Sequence, residues 1–278
     1  MSETRAETGF ETGGYTGAET RAETGAETRA ETGGENRVAL ITGSSSGIGA
    51  GIARRLAAAG IRVVLNSARS EDAGKALAAE LPDAVYVRGD VADADDARRI
   101  VRTAIDAYGR LDVLVNNAGI TRFIPLNDLE AADADAWREI FEVNVIGTWQ
   151  MITAATPHLR ESGAGSIINI SSVSATRALG SSIPYAVSKS AVNHMTRLLA
   201  SQLGPAVRVN AIAPGLIDTP WYEGEDQVWE SSREWITENT PLRRVGTPED
   251  VAEAALYLVD AAYTTGDVLT VDGGRHVV

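Results

Sequence analysis

Tyr185 and Lys189 lie four residues apart, directly after Pro184. Proline is well tolerated at the first position of a helix, where its missing N–H would have no partner. In a helix that begins there, the two side chains lie on the same face. An ammonium beside a phenol favours the phenolate, so we expect Lys189 to lower the pKa of Tyr185 toward working pH. Such a pair would donate a proton to a ketone or accept one from an alcohol.

The scarcity of lysine argues that this pairing is functional. Lysine and arginine together number 25, but only Lys75 and Lys189 are lysines. The lysine ammonium is a compact point charge that a planar guanidinium cannot replace. A chance Tyr-x-x-x-Lys spacing is the alternative, and the motif alone does not exclude it.

The elements that must position this pair alternate along the chain. Apolar runs predict strands at 38–41, 62–66, 84–87, 111–115, 166–170, 207–213 and 267–271. Helical patterns lie between them, with helices expected at about 71–80, 93–108 and 135–161, after Pro184, and after Thr247. This alternation predicts an α/β fold, a single doubly wound parallel-sheet domain of the Rossmann type with helices on both faces, over residues 37–278.

A glycine-rich loop, T-G-S-S-S-G-I-G, follows the first strand at residues 42–49 and precedes a helix. Glycines let the backbone approach a pyrophosphate, and the helix N-terminus supplies unpaired N–H groups and a positive dipole end. The loop therefore predicts a phosphate-binding site formed by Gly43, Ser45, Ser46, Gly47, Ile48 and Gly49.

Several motifs occur in the order and spacing of the short-chain dehydrogenase/reductase family: residues 42–49, Asp90-Val91, residues 116–119, Asn144, Ser172, Tyr185-x-x-x-Lys189 and Pro214-Gly215. The sequence resembles this family from about residue 37 onward. The runs N-N-A-G-I-T-R and T-V-D-G-G are most similar to its 3-oxoacyl-carrier-protein reductase branch. The resemblance implies an NAD(P)(H)-dependent oxidoreductase that transfers hydride between a nicotinamide and a carbonyl/secondary alcohol pair.

The resemblance also implies four catalytic residues. Tyr185 would be the general acid/base, Lys189 would hold the nicotinamide ribose, Ser172 would bind the substrate carbonyl, and Asn144 would help anchor a water chain to Lys189. Ser171 competes with Ser172, but the family spacing of thirteen residues before the tyrosine favours Ser172. Without that spacing, a serine pair after a strand is ordinary turn chemistry.

Further cofactor-binding residues follow from the same resemblance: Asn66, Ser67, Arg69, Asp90, Val91, Asn117, Ala118, Gly119, Tyr185, Lys189, Pro214, Gly215, Ile217 and Thr219. An aspartate at the end of the second strand would select NAD, but Ser67 stands there and Arg69 follows. We therefore expect NADP(H) to be preferred over NAD(H). Ser46 in the loop and the nearby Glu71 and Asp72 weigh against this, and Arg69 would otherwise be a solvated residue.

Residues 220–242 form an insertion that contains three of the chain's five tryptophans, Trp221, Trp229 and Trp235, together with Tyr222. Aromatic residues in an insertion near a predicted site suggest an apolar lid over a substrate. A core helix or an oligomer contact is an equally good interpretation.

The composition argues against several kinds of functional site and binding partner. With no cysteine there are no disulfides or thiol nucleophiles, and the three histidines have no metal-ligand spacing, so we assign no metal. A net charge of −13 argues against nucleic-acid and membrane partners. We find neither a secretory signal nor a membrane-length apolar run, and expect a cytoplasmic protein. The expected partners are a small carbonyl or alcohol substrate and, from the resemblance, further copies of the chain in a homotetramer.

The first 36 residues repeat A-E-T-R and A-E-T-G units and contain eight glutamates and three arginines, a charge of −5 that leaves −8 for the remainder. With almost nothing apolar to bury, this segment is predicted to be a disordered acidic tail. A function of another class also has to be weighed. A catalytically silent dinucleotide sensor would share the fold, but the presence of Ser172, Tyr185 and Lys189 argues against it.

Overall fold

A computed structural model describes residues 36–278, so all of the predicted acidic tail except Asn36 lies outside the described residues. Seven parallel strands form one sheet in the order β3-β2-β1-β4-β5-β6-β7. They are β1 (Val38–Ile41), β2 (Arg62–Ser67), β3 (Ala84–Arg88), β4 (Val113–Asn116), β5 (Gly165–Ile170), β6 (Val207–Pro214) and β7 (Val268–Val271). The strand order reverses between β1 and β4, which confirms the predicted doubly wound sheet.

Eight α-helices connect and cover the strands in the described part of the chain. They are α1 (Gly47–Ala58), α2 (Glu71–Glu80), α3 (Ala94–Tyr108), α4 (Ala134–Phe141), α5 (Thr148–Glu161), α6 (Ile183–Leu203), α7 (Asp226–Asn239) and α8 (Pro248–Asp260). One apolar core packs α1, α2 and α8 against the sheet, and a second packs α3, α5 and α6. Because both faces are covered, every residue of β1, β4 and β5 is buried.

Local sequence fixes where the site-bearing helix begins. The Ser182 hydroxyl accepts the main-chain N–H of Tyr185 at 3.4 Å, and Pro184 occupies the first turn of α6. Both features favour a helix start. Tyr185 is therefore held in the first turn of α6, and Lys189 lies one turn further along.

The helix predicted at 135–161 is not continuous. A π-helical turn, Glu142–Gly147, separates α4 from α5. Two features constrain this turn. The Asn144 side chain hydrogen-bonds the main chain of Ile120. Gly147 packs so closely on Val91 that a Cβ there would lie 2.8 Å from Cγ2 of Val91. Turns of this kind often occur at functional sites, and apolar periodicity does not reveal them.

None of the helices within residues 36–278 is long and apolar enough to span a membrane.

Candidate active site

A cavity of about 650 Å³ opens at the carboxyl ends of β1, β4, β5 and β6. This is the position at which doubly wound sheets bind dinucleotides. Fourteen of the residues predicted for the site contribute to its wall: Gly43, Ser46, Gly47, Ile48, Asn117, Ala118, Gly119, Ser172, Tyr185, Lys189, Pro214, Gly215, Ile217 and Thr219. Segments far apart in sequence thus converge on one cavity.

Lys189 is held beside Tyr185 by the end of a strand. Its Nζ lies 5.7 Å from the centroid of the Tyr185 ring and donates to the carbonyl oxygen of Ile170 at 2.8 Å. Ser172 is the second residue after β5 and lines the same cavity. The structure therefore brings the serine, the phenol and the ammonium together at one cavity.

The neighbouring serines have different environments. The Ser171 side chain is buried and its hydroxyl donates to the main-chain carbonyl of Lys189 at 3.3 Å, which ties it to α6. Ser172 is partly exposed to the cavity, and its Oγ accepts the main-chain N–H of Ser174 at 3.2 Å. The accepted bond does not use the Ser172 proton, and the Ser172 hydroxyl, not that of Ser171, hydrogen-bonds the Tyr185 phenol.

The acid–base balance of the pair differs from the expectation. Burial raises the pKa of the Tyr185 phenol, whereas the hydrogen bond from the Ser172 hydroxyl lowers it by a smaller amount. Burial also lowers the pKa of Lys189 to about 8. The expected fall in the tyrosine pKa considered only the charge of Lys189. It neglected the cost of forming any charge at a site enclosed by α6 and the sheet.

Asn144 is buried in the π-helical turn, and its contacts are local. Its Oδ1 accepts the N–H of Ile120 at 2.8 Å, and its Nδ2 donates to the carbonyl of Ile120 and to the Ser188 hydroxyl, both at 3.0 Å. A Cβ on Gly119 would lie 3.2 Å from Asn144 Oδ1 and 3.5 Å from Lys189 Nζ. Asn144 is thus adjacent to Lys189 and fixes the loop beside it.

The glycine loop is built for close backbone approach. Gly43 has φ +61°, and a Cβ there would lie 2.8 Å from the Cα of Ala118. Asn117 links the two loops, because its Nδ2 donates to the carbonyl of Gly43 at 2.8 Å and of Thr42 at 3.0 Å. Position 49 of the loop accommodates only glycine, because a Cβ on Gly49 would lie 2.5 Å from the Gly43 oxygen.

The first turn of α1 can receive an anion. Its N-cap residue, Ser46, makes no capping bond through its side chain, and no acidic residue lies in the first turn. The N–H groups of Gly47, Ile48 and Gly49 have no acceptor among residues 36–278. Unpaired N–H groups at a helix N-terminus suit a pyrophosphate, so the loop fits a dinucleotide.

Five other predicted cofactor residues do not line the cavity. Ser45 is partly exposed in the glycine loop, and Gly49 is buried in α1. Asn66 is buried at the end of β2, where its amide donates to the carbonyls of Val87 and Gly89. Beside the next strand end, Val91 is buried, whereas Asp90 is exposed and its Oδ1 accepts the N–H of Ala92.

The region after β2 contains a second arginine that sequence reasoning missed. The Ser67 hydroxyl is 2.8 Å from the Tyr86 hydroxyl, whereas Arg69 is exposed and makes no side-chain hydrogen bond within residues 36–278. Arg88, paired with Ser67 across the sheet, donates through Nε to the carbonyl of Ala68 at 3.2 Å. The pairing of β2 with β3 was the signal that would have indicated Arg88.

Residues 220–242 form an aromatic wall of the cavity. The rings of Trp221 and Tyr185 have centroids 5.8 Å apart, and Tyr222 packs on Phe123 at 5.6 Å and on Trp229 at 5.3 Å. In α7 only Ile236 is buried, which does not suit a core helix. The apolar covering inferred from the sequence therefore agrees with the contacts better than the core interpretation does.

Sequence reasoning also missed Arg275, which lines the cavity from the C-terminal end of the chain. It follows the glycine pair that ends T-V-D-G-G. A charged residue directly after a glycine turn at the carboxyl end of a strand was the available signal, because such a turn reaches the edge where ligands bind.

Comparison with known proteins agrees with this architecture. The family model described as Enoyl-(Acyl carrier protein) reductase matches residues 43–276. The chain is 61% identical over 241 residues to a Streptomyces violaceoruber protein named "Granaticin polyketide synthase putative ketoacyl reductase 2", an alignment that covers 87% of this chain and 96% of that protein. It is 41% identical over 248 residues to L-fucose dehydrogenase of Oryctolagus cuniculus, with 87% and 85% covered.

A solved structure shows the same fold. The 3-ketoacyl-(acyl-carrier-protein) reductase from Brucella melitensis, complexed with NADH, superposes with a TM-score of 0.79 at 35% identity, covering 87% of this chain and 98% of that one. The sheet and the cavity thus define an α/β oxidoreductase of the Rossmann type. The chain belongs to the short-chain dehydrogenase/reductase family, whose members use NAD(P)(H).

Proposed function

We propose that the chain catalyses reversible hydride transfer between a nicotinamide and a ketone or secondary alcohol, with Tyr185 as the general acid/base. The observation that carries this proposal is the convergence of Ser172, Tyr185 and Lys189 on the cavity that the glycine loop also lines. NADP(H) or NAD(H), when bound, supplies or accepts the hydride. The chain's own residues orient the carbonyl and move the proton.

The proton follows a short path in the reductive direction. Ser172 donates a hydrogen bond to the substrate carbonyl oxygen and stabilises the charge that develops there. Tyr185 donates its proton to the same oxygen, which becomes the hydroxyl of the alcohol. The phenolate left behind is stabilised by the Lys189 ammonium, which the Ile170 carbonyl holds in place. A phenol with a raised pKa keeps its proton until the carbonyl oxygen becomes basic.

The substrate class follows from the cavity and from the relatives. Aromatic and apolar side chains form the wall next to Tyr185, which suits a ketone on an apolar skeleton. Relatives named as ketoacyl reductases support a ketoacyl or polyketide-type ketone. A carrier protein would be expected to dock on a basic patch near the site, but two arginines that could contribute to such a patch are already engaged. Arg122 pairs with Glu139, and Arg177 donates to the carbonyls of His276 and Val278. We therefore favour a free substrate over a carrier-bound one.

For the cofactor we propose a preference for NADP(H). Ser67 places no carboxylate where one would repel a 2′-phosphate. Glu71 pairs with Lys75 at 2.7 Å and with Arg88 at 3.5 Å, so this acidic neighbour is neutralised and Arg69 keeps its guanidinium for a phosphate. A relative was solved with NADH, which supports NAD(H) as the alternative cofactor.

We further propose a homotetramer that uses the outer faces of α5 and α6. Trp149 is 49% exposed, and Leu198 is 55% exposed. Met195 and Leu199 on the same stretch of α6 pack against the second core instead, so only part of the apolar surface of this helix is free. Large exposed apolar side chains on adjacent helices suit burial between copies.

The proposed activity is tested by following the oxidation of NADPH and NADH by the full-length protein with a panel of aryl ketones, β-ketoesters and cyclic diketones. We expect turnover of at least one class, faster with NADPH. A protein that binds cofactor tightly but reduces no ketone and oxidises no matching alcohol would contradict the proposal and favour a dinucleotide sensor.

A further inference from the structure

Arg275 is held at the cavity by a rigid turn after β7. The Asp272 carboxylate accepts the main-chain N–H of Gly274 at 2.9 Å and of His276 at 2.7 Å, which closes the turn. Gly274 has φ +86°, and a Cβ there would lie 2.6 Å from Cγ of Pro241. These hydrogen bonds and the close approach to Pro241 define the backbone path that brings Arg275 to the cavity.

The Arg275 side chain has no acidic partner in the described chain. It makes no salt bridge or side-chain hydrogen bond within residues 36–278, and its Nε is fully buried without an acceptor. Asp272, the nearest carboxylate in sequence, bonds the turn and the His276 ring at 2.9 Å instead. Burial lowers the pKa of Arg275, while Tyr222 and Asp272 act against this. The remaining donors of this half-buried guanidinium have no acceptor within residues 36–278, so they are free to bind one on a ligand.

The guanidinium is also oriented by an aromatic contact. Its Cζ lies 5.3 Å from the centroid of the Trp235 ring on α7, close enough for a cation–π interaction. This contact holds the planar group at the wall that also contains Tyr222 and Tyr185. The neighbouring Arg177 donates to main-chain carbonyls, and within residues 36–278 Arg275 is the one arginine that lines the cavity. One guanidinium matches a singly charged carboxylate better than a doubly charged phosphate.

We propose that Arg275 is a substrate-specificity residue that binds a carboxylate on the ketone substrate, while Ser172 and Tyr185 bind its carbonyl. The inference deepens the proposed function and rests on it, because the proposed function identifies the ketone carbonyl as the group of the substrate that reacts. The substrate is then an oxo acid: an apolar, ring-bearing skeleton along the aromatic wall, with a ketone at one point and a carboxylate at another.

The test compares acids with their neutral amides. The probes are para-acetylbenzoate and its longer biphenyl homologue, each paired with the corresponding carboxamide, which has nearly the same shape. Dissociation constants are measured by calorimetry with full-length protein saturated with NADP+, and kcat/KM is measured with NADPH. A charge-assisted bond predicts that at least one acid binds about ten- to a hundredfold more tightly than its amide.

Substitution then assigns the preference to one residue. Arg275→Gln is expected to abolish the preference for the acid while changing amide affinity less than about threefold, and Arg275→Lys to retain part of it. Arg138→Gln, which removes an equal charge from an exposed ion pair on α4, is the control and should change nothing. Arg275→Lys also keeps the test usable if the glutamine variant is unstable.

Two outcomes would overturn the inference: wild type that binds acid and amide equally in both pairs, or an Arg275→Gln variant that loses both equally. These results are separate from the proposed function. Reduction of the amide ketones with no preference for acids would leave the reductase assignment intact. Tight, Arg275-dependent binding of an acid that is never reduced would support the carboxylate site and contradict the reductase.

Discussion

At the residue scale, burial dominates the chemistry of the Tyr185–Lys189 pair. The phenol is kept neutral by burial, and the pKa of Lys189 is lowered to about 8, so the ammonium titrates in a range where enzymes are assayed. The lysine therefore has two states near neutral pH. Only the charged state stabilises the phenolate that forms when Tyr185 donates its proton.

This gives a pH prediction. Because the pKa of Lys189 is depressed, the ammonium is present below about pH 8 and is lost as the pH rises through that value. We expect kcat/KM for ketone reduction to fall about tenfold for each pH unit above 8, since this parameter reports ionisations of the free enzyme. A pH profile from 6 to about 10 checks it. A rate that stays flat across pH 7–9.5 would show that the charge of Lys189 does not limit reduction.

Cofactor selectivity also belongs to single residues. Arg69→Ala is expected to weaken NADP(H) binding about ten- to a hundredfold and NAD(H) binding by less than threefold, because only NADP(H) offers the 2′-phosphate. Dissociation constants for both cofactors, measured by quenching of tryptophan fluorescence, check this. Arg54→Ala, on the surface of α1 and paired with Glu80, is the matched control. Equal losses for both cofactors in Arg69→Ala, or a wild type that prefers NAD(H), would refute the assignment.

At the element scale, the strand–loop–helix unit around Gly49 is the most tightly fitted part of the site. A methyl group there would lie 2.5 Å from the Gly43 oxygen and 2.6 Å from Asn117 Nδ2. Gly49→Ala is therefore expected to lower the free energy of unfolding by about 1–3 kcal/mol and to weaken cofactor binding at least tenfold. Thermal unfolding and cofactor titration measure the two effects.

Gly109→Ala is the control for the Gly49 substitution. Unlike Gly49, Gly109 has a positive φ of +74°, but no atom lies within 4 Å of its Cβ position, and it ends α3 away from the cavity. The control should lose about 1–2 kcal/mol of stability and keep its cofactor affinity. Normal cofactor binding by Gly49→Ala would show that the loop tolerates displacement.

Most of the elements could be predicted because their signals are local. Apolar runs located the strands to within two residues, and the glycine loop fits the role it was given. The π-helical turn around Asn144 was missed because it depends on contacts with Ile120 and Val91, which are distant in sequence. For Arg275 the preceding glycine turn was an available signal, but its lack of a carboxylate partner within residues 36–278 is visible only in the fold. The direction of the Tyr185 pKa likewise required knowledge of burial.

At the scale of the whole molecule, the helices that cover the sheet expose large apolar side chains on their outer faces. Trp149 on α5 is half exposed, and we expect it to be buried between copies of the chain. Light scattering should give the mass of a tetramer for wild type and a smaller species for Trp149→Glu. Tyr263→Glu, at a fully exposed loop position, should remain tetrameric. A wild-type monomer at micromolar concentration would rule out this assembly.

The acidic repeat has a separate test. Its composition predicts that removal of residues 1–35 leaves turnover and melting temperature nearly unchanged, because it has almost no apolar surface to bury. Calorimetry on the full and shortened chains measures this. A fall of several degrees would show that the segment contributes to the folded protein.

The central claim is that Tyr185 supplies the proton in an oxidoreductase reaction, and single-turnover reduction of a ketone by the NADPH complex of Tyr185→Phe tests it most directly. Removing one hydroxyl leaves the ring that packs on Trp221, so the fold and cofactor affinity should be preserved. We predict a hydride-transfer rate about 10²- to 10⁴-fold below that of wild type, with the NADPH dissociation constant changed less than threefold. Equal transfer rates in wild type and Tyr185→Phe would contradict the account.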